Sequence, residues 1–183
     1  MTYPQRLAPL AAHERNERQQ QLIDDVGSDF AIFATLVRHP ELFADFEVLA
    51  SHLLRRSGLP GKVRETLILR TARRCLAGYE WAHHEVIGRR EGLTDQELAA
   101  IGDVSATGRL DDTGALLVQA ADELVLDHRL GDATWSALQA TFEEKQIIEV
   151  CLLVGNYAMI AGALNSLGVQ IEDGFDAPEW SQQ

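Results

Sequence analysis

The chain has 183 residues, 46% of them apolar, and a formal net charge of −12. A chain of this length buries roughly 70% of its unfolded surface on folding, so one core holds it without disulfide or metal. The acidic balance argues against broad contact with nucleic acid or an anionic membrane, and the two cysteines, Cys75 and Cys151, form no disulfide framework or zinc pattern and point to a reducing, cytoplasmic setting.

Residues 1–17 contain no apolar run of the signal-peptide kind. Residues 11–25 are polar, and apolar spacing resumes at Phe30, Phe33 and Leu36. Pro40 follows His39 at a good first-turn position for a helix whose Phe43, Phe46, Leu49 and Leu53 share one face. Gly58 and Pro60 end it. The next helix follows Gly61 and runs to about Leu76, and another carries YEWAHHEVIGRRE and stops at Gly92. Thr94 and Glu97 form a capping box for a short helix ending near Gly102.

A loop over 103–113 is rich in Gly, Asp, Ser and Thr, and the stretch ALLVQAADELVLDH after it is amphipathic. Asp132 is expected to cap a helix bearing Trp135 and Leu138. The last helix is expected over about 143–167, with Gly168 as its stop. Its apolar run, 146–164, is interrupted by Glu149 and Asn156 and reads as a buried core helix rather than a membrane span.

No strand-like alternation appears. The expected fold is all-α, a single-domain bundle of about seven or eight helices packed around the helix after Gly61, the YEWAHHEV helix and the last one. Residues 1–38 read as an N-terminal arm with the first helices, 39–172 as the helical domain, and 173–183 as a loose acidic tail carrying Pro178.

Functional side chains are densest at Tyr79, Glu80, Trp81, His83 and His84. Residues four apart on a helix share a face, so Glu80 and His84 point the same way. Glu65 lies on the preceding helix, and a turn near Ala77 and Gly78 folds the two helices together. Two carboxylates and an imidazole can then meet, one holding a proton while another accepts it. A helix-surface Glu–His pair with Glu65 in solvent fits the same spacing. Adjacent histidines diverge by about 100°, so His83 and His84 cannot easily share a metal ion, and no metal site is expected. Tyr79 and Trp81 flank Glu80 and can shape an apolar pocket or pack in the core, and His83 can contact substrate, an interface or solvent. Tyr157 reaches such a pocket only if the last helix packs on it. Arg70, Arg73, Arg74, Arg89 and Arg90 form a basic cluster, expected mostly as solvated faces.

The stretch RETLILRTARRCLAGYEWAHHEVIGRREGLTDQEL resembles the carboxymuconolactone decarboxylase and alkylhydroperoxidase D superfamily. The peroxidase branch places a Glu, a Cys-x-x-Cys, a His and a Gly in a frame matched here by Glu65, positions 77 and 80, His84 and Gly92. Ala77 and Glu80 stand at the two cysteine positions, and Glu80 with His84 resembles the Glu-x-x-x-His helix of the decarboxylase branch. The specific part of the match is 60–98, and a looser likeness runs from about Leu36 to Glu172.

The resemblance implies a cytoplasmic, cofactor-free enzyme that removes carbon dioxide from a small carboxylated lactone or related acid. It assigns catalysis to Glu65, Glu80 and His84, and leaves Tyr79, Trp81 and His83 as substrate-binding candidates. It also implies a trimer or hexamer, with a small-molecule substrate and neither nucleic acid nor membrane as partner. Arg70 or Arg74 is available for a substrate carboxylate, and neither is singled out. Thiol peroxidase chemistry is disfavoured because the reacting sulfurs are missing, and Cys75 points about 200° away from Ala77 on a helix. A binding protein that keeps the pocket without turnover is the non-enzymatic alternative.

Overall fold

The computed structural model describes residues 3–104 and 110–181, and among these residues all regular structure is helical. Nine α-helices follow in order: α1 (Glu17–Val26), α2 (Ala31–Leu36), α3 (Pro40–Arg55), α4 (Gly61–Arg74), α5 (Gly78–Arg90), α6 (Asp95–Gly102), α7 (Asp112–Leu126), α8 (Asp132–Thr141) and α9 (Glu144–Leu167). Of the loop expected over 103–113, residues 105–109 lie outside the described residues.

The helix in excess of the expected number arises in the polar stretch. Asn16 accepts from the Gln19 N–H and the Gln19 side chain accepts from the Asn16 N–H, closing a capping box for α1. Leu22 and Ile23 then suffice to pin α1 against Leu10, Val37 and Phe43. Two buried apolar residues in ten are too few to show a period, so the cap carries the signal. At α8 the cap is Gly131, with Asp132 already the first helical residue.

Helix α4 is the axis of the bundle and packs against α5, α6, α7 and α9. Every residue from Glu65 to Ala72 on it is buried. Thr66 and Thr71 return their hydroxyls to the carbonyls of Lys62 and Leu67. Arg70, expected on a solvated face, is fully buried. Its guanidinium donates to both oxygens of Asp122, at 2.6 and 2.7 Å, and to the carbonyls of Ile101 and Asp103. Arg74 binds the same Asp122, and Arg73 donates to the Gly102 carbonyl. A buried guanidinium is tolerated only with such full pairing.

Leu76, at φ 54°, turns the chain between α4 and α5 in a left-handed conformation, and the Ala77 N–H reaches back to the Ala72 carbonyl at 2.8 Å. Farther along α5, a Cβ at Gly88 would stand 2.9 Å from Leu93 and 3.3 Å from Leu69, so glycine there lets α5 lie close on α4.

Helix α9 is long and apolar enough to span a membrane by length and composition, yet half of its apolar window is buried in the protein, and it packs on α3, α4, α7 and α8. It ends at Gly168, at φ 67°, where a Cβ would collide with the Pro4 carbonyl. The N-terminal arm is tied there by the Arg6 and Leu7 N–H groups, which donate to the Leu167 carbonyl. The acidic tail, expected to be loose, is packed as far as Ser181. Trp180 meets Trp81 edge-on with Arg73 over its ring, and Phe175 stacks on His83. These two aromatics supply the apolar surface that the tail's acidic composition conceals.

Candidate active site

A cavity of about 230 Å³ opens between α2, α3, α5 and α9. Phe33, Phe46, Ile87 and Ile160 give it apolar walls, and the polar groups that reach it include Glu80, His83, His84, Asn156 and Tyr157.

The α4–α5 turn brings Glu65 and His84 together, as the helical frame requires. His84 Nδ1 and Glu65 Oε2 are 2.7 Å apart, and Arg64 Nε donates to Glu65 Oε1 at 3.0 Å. Glu65 is fully buried, which removes the alternative of a solvated surface pair. With Arg64 on one oxygen, Glu65 accepts from Nδ1–H on the other. That leaves the lone pair of His84 on Nε2, and the ring borders the cavity. Tyr157 stands edge-on to the His84 ring at 5.0 Å, so α9 does pack onto the site. Burial, followed by the carboxylates of Glu65 and Glu80, raises the Tyr157 hydroxyl well above its ordinary value and keeps it a neutral donor.

Glu80 sits in the first turn of α5 and is 3% exposed. Neither carboxyl oxygen has a hydrogen-bond partner among the described residues. Burial pushes its pKa well above the usual carboxylate range, which favours the proton-bearing acid. Asn156 Oδ1 is likewise buried without a partner. A cavity that leaves a carboxyl group and an amide oxygen unpaired offers a ligand two polar anchors.

His83 borders the same cavity from the next position on α5. Its Nε2 lies 2.7 Å from Glu172 Oε2, while Glu172 Oε1 accepts from the Tyr79 hydroxyl at 2.8 Å and from the Ala31 N–H at 2.6 Å. Burial raises Glu172, but the bonds from His83, Ala31 and Tyr79 prevail and hold it at about 2. Tyr79 also lines the cavity. Trp81 does not. Two residues along the helix turn it about 200°, into the second core with Leu69, Ile101 and Trp180, where its indole N–H donates to Glu85. Arg70 and Arg74 are likewise committed to Asp122. The cation that borders the cavity is Arg55, beside Glu47, whose carboxyl burial raises and Arg55 lowers.

Phe30, Phe33 and Phe46 showed in the sequence as apolar helix positions without a link to the motif, whereas Glu172 and Phe175 carried no local signal. Asn156 carried one, as a polar residue inside the apolar run of α9. Among the described residues, no three His, Cys, Asp or Glu side chains gather in a metal-binding group. Cys75 is half-buried at the end of α4, and burial, then Glu80, pushes its thiol up to about 11. Burial also raises the Cys151 thiol.

Residues 40–123, which hold Glu65, Glu80 and His84, match the carboxymuconolactone decarboxylase family. Solved structures extend the likeness over nearly the whole chain. An uncharacterized peroxidase-related protein from Silicibacter sp. TM1040 superposes with a TM-score of 0.77 at 15% identity, covering 96% of each chain. An alkylhydroperoxidase AhpD core protein from Ralstonia eutropha JMP134 gives 0.71 at 19% identity over 86% of this chain and 84% of its own.

Over residues 40–123 the chain is similar to the carboxymuconolactone decarboxylase family, and its fold as a whole is AhpD-like.

A further member of this fold is the debrominase Bmp8, solved in complex with 2,3,4-tribromopyrrole, with a TM-score of 0.70 at 14% identity over 94% of this chain and 95% of that one. Solved proteins with this fold thus include a peroxidase-related protein and a debrominase. No curated protein matches the sequence.

Proposed function

We propose that the chain is an acid–base enzyme of the decarboxylase-like branch, acting on a small carboxylated lactone or related oxygenated acid with its own side chains. The observation that carries this reading is the cavity-facing pair of a buried, unpartnered Glu80, whose burial favours the protonated acid, and an imidazole fixed by Glu65. Environments that hold one group protonated and leave its neighbour a free lone pair divide the roles of acid and base.

In the decarboxylation, the bond from ring carbon to carboxylate breaks, carbon dioxide leaves, and the electron pair passes to the adjacent carbonyl as an enolate. Glu80 donates a hydrogen bond to the enolate oxygen. His84 takes a proton from solvent on its Nε2 lone pair and delivers it to carbon, while Glu65 steadies the transient imidazolium. Arg55 at the rim is placed to meet a substrate carboxylate. The absence of cysteine at positions 77 and 80 and the raised Cys75 thiol weigh against thiolate-based peroxide reduction.

The protein is proposed to work as a homo-oligomer, trimer or hexamer. Ile148, Leu152 and Met159 are exposed along one stripe of α9, supporting a partner subunit there. The deciding experiment incubates purified protein with carboxylated lactones and measures carbon dioxide release and product by mass spectrometry. Turnover that disappears in Glu80→Gln supports the enzyme, whereas binding with every lactone recovered intact leaves a non-catalytic binding protein.

A further inference from the structure

The catalytic frame uses one imidazole, but the cavity is bordered by two. His83 and His84 are neighbours on α5, and each is anchored to a carboxylate from a different element: His84 through Nδ1 to Glu65 on α4, His83 through Nε2 to Glu172 after α9. Each ring therefore has its other nitrogen left over, His84 Nε2 and His83 Nδ1, and no hydrogen bond occupies either among the described residues. The two rings sit about 100° apart around the helix, so they face the cavity from different directions, His84 toward Tyr157 and His83 toward Phe30 and Phe175.

His83 is largely buried, its side chain 11% exposed, and its anchor is elaborate. Phe175 stacks on its ring at 4.0 Å, Phe30 meets it edge-on at 4.7 Å, and Tyr79 lies at 4.5 Å. Glu172 is itself fixed by the Tyr79 hydroxyl and the Ala31 N–H, and Tyr79 in turn accepts from the Ile32 N–H. Three segments of the chain, residues 30–32, α5 and residues 172–175, converge to hold one imidazole at a set angle. Preorganisation of this kind is what acid–base transfer needs.

We propose that His83, oriented by Glu172, is a second acid–base group of the same cavity, and that the substrate is a small unsaturated lactone or keto acid whose enolate accepts a proton at an end remote from His84. The proposal rests on the proton-transfer reading of the cavity and adds a second proton-transfer position to it. In an allylic shift, neutral His84 takes the α-hydrogen of the substrate at Nε2. The C–H electron pair spreads into a conjugated dienolate. Protonated His83 then gives its Nδ1 proton to the γ-carbon, and the double bond moves one position. His84 ends protonated and His83 neutral, and solvent exchange restores both, so the substrate is isomerised with no net change in protons. In a decarboxylation the same dienolate forms by loss of carbon dioxide, and His83 supplies the remote proton. Glu172 is a positioning residue in this scheme. It keeps the His83 proton on Nε2 and stabilises the imidazolium.

The test follows α-angelica lactone, a β,γ-unsaturated lactone, in deuterium oxide by proton NMR with the intact protein. Wild type exchanges the α-hydrogen and forms the α,β-unsaturated isomer with deuterium at the γ-carbon. In His83→Asn the ratio of isomer formed to α-exchange falls by about a hundredfold. Glu172→Gln gives a smaller fall, carried by kcat with KM nearly constant, and Glu172→Asp recovers part of it. Circular dichroism of each variant shows that the helices are retained. An unchanged ratio in His83→Asn, or equal loss of exchange and isomerisation, overturns the second site and leaves the first intact. If wild type neither exchanges nor isomerises the lactone, the proton-transfer reading loses this substrate class, and His83 is judged by diethyl pyrocarbonate labelling read by mass spectrometry. Labelling of His83 whose rate shifts in Glu172→Gln relative to His84 supports an anchored, cavity-facing imidazole, and an inert His83 overturns it.

Discussion

His84 Nδ1 and Glu65 Oε2 stand 2.7 Å apart across the α4–α5 hairpin, and Arg64 occupies the other oxygen of the same carboxylate. Glu65→Gln retains an acceptor for Nδ1–H and loses the charge that stabilises the imidazolium. Turnover should fall by about a hundredfold or more, with substrate affinity little changed. Steady-state kinetics beside a thermal melt check this, and unchanged kcat in a folded variant removes Glu65 from the mechanism.

Glu80 yields a pH prediction with a definite sign. Its folded pKa lies well above the unfolded value near 4.5, so the folded state binds more protons than the unfolded one between those values. Stability therefore declines as pH rises above about 4.5 and through the folded pKa. Glu80→Gln is neutral throughout and should lack this decline, gaining on wild type toward alkaline pH. Melting temperatures of both proteins across that range measure it, and parallel curves contradict the buried acid. The same variant should lose turnover by about a hundredfold or more.

Asp122 tests the fold apart from the site. It pairs with Arg70, whose side chain is 1% exposed, and Asp122→Ala orphans that charge. Loss of one partner of a buried pair costs about 3–5 kcal/mol, which lowers the melting temperature by roughly 10 °C in a chain of this size. The folded fraction should keep its kcat. Calorimetry and kinetics below the transition separate the two effects.

Neither thiol should matter to turnover. Replacing Cys75 and Cys151 by Ser together should leave activity largely intact, because neither borders the cavity and burial raises both thiols. Abolished turnover in a folded Cys75→Ser protein would place a reactive thiol where none is expected.

Assembly is read from α9. Leu152 is 53% exposed beside Ile148 at 60% and Met159 at 56%. Wild type should sediment as a trimer or hexamer at micromolar concentration, and Leu152→Asp should shift it toward monomer by placing a charge in the contact. A monomeric wild type removes the claim.

The hairpin of Glu65, Glu80 and His84 was legible because helical periodicity and a short turn act over few residues. Thr94 and Gly168 were legible for the same reason, as local caps. Helix α1 was not, since Asn16 starts it and Leu22 and Ile23 are its two fully buried apolar residues. Trp81 and Tyr79 look equivalent beside Glu80 in the sequence, yet one turns toward the core and the other toward the cavity, a choice made by α6 and the tail rather than by α5. Arg70 looked like a surface cation because its partner, Asp122, lies on α7 and no local pattern links them. Glu172 shows the limit most clearly: its role depends on α9 returning the chain beside Ala31 and His83.

The docking of Trp180 on Trp81 has an optical consequence. Three tryptophans occur in the chain; Trp135 is 43% exposed, while the indoles of Trp81 and Trp180 share an edge contact, with the Arg73 guanidinium over the Trp180 ring. Detachment of the C-terminal segment would separate that pair and wet both rings. The emission maximum would then move to longer wavelength while the helices stay intact. Because the same segment carries Glu172 and Phe175, intrinsic fluorescence offers a label-free clock for how often the wall behind His83 comes and goes.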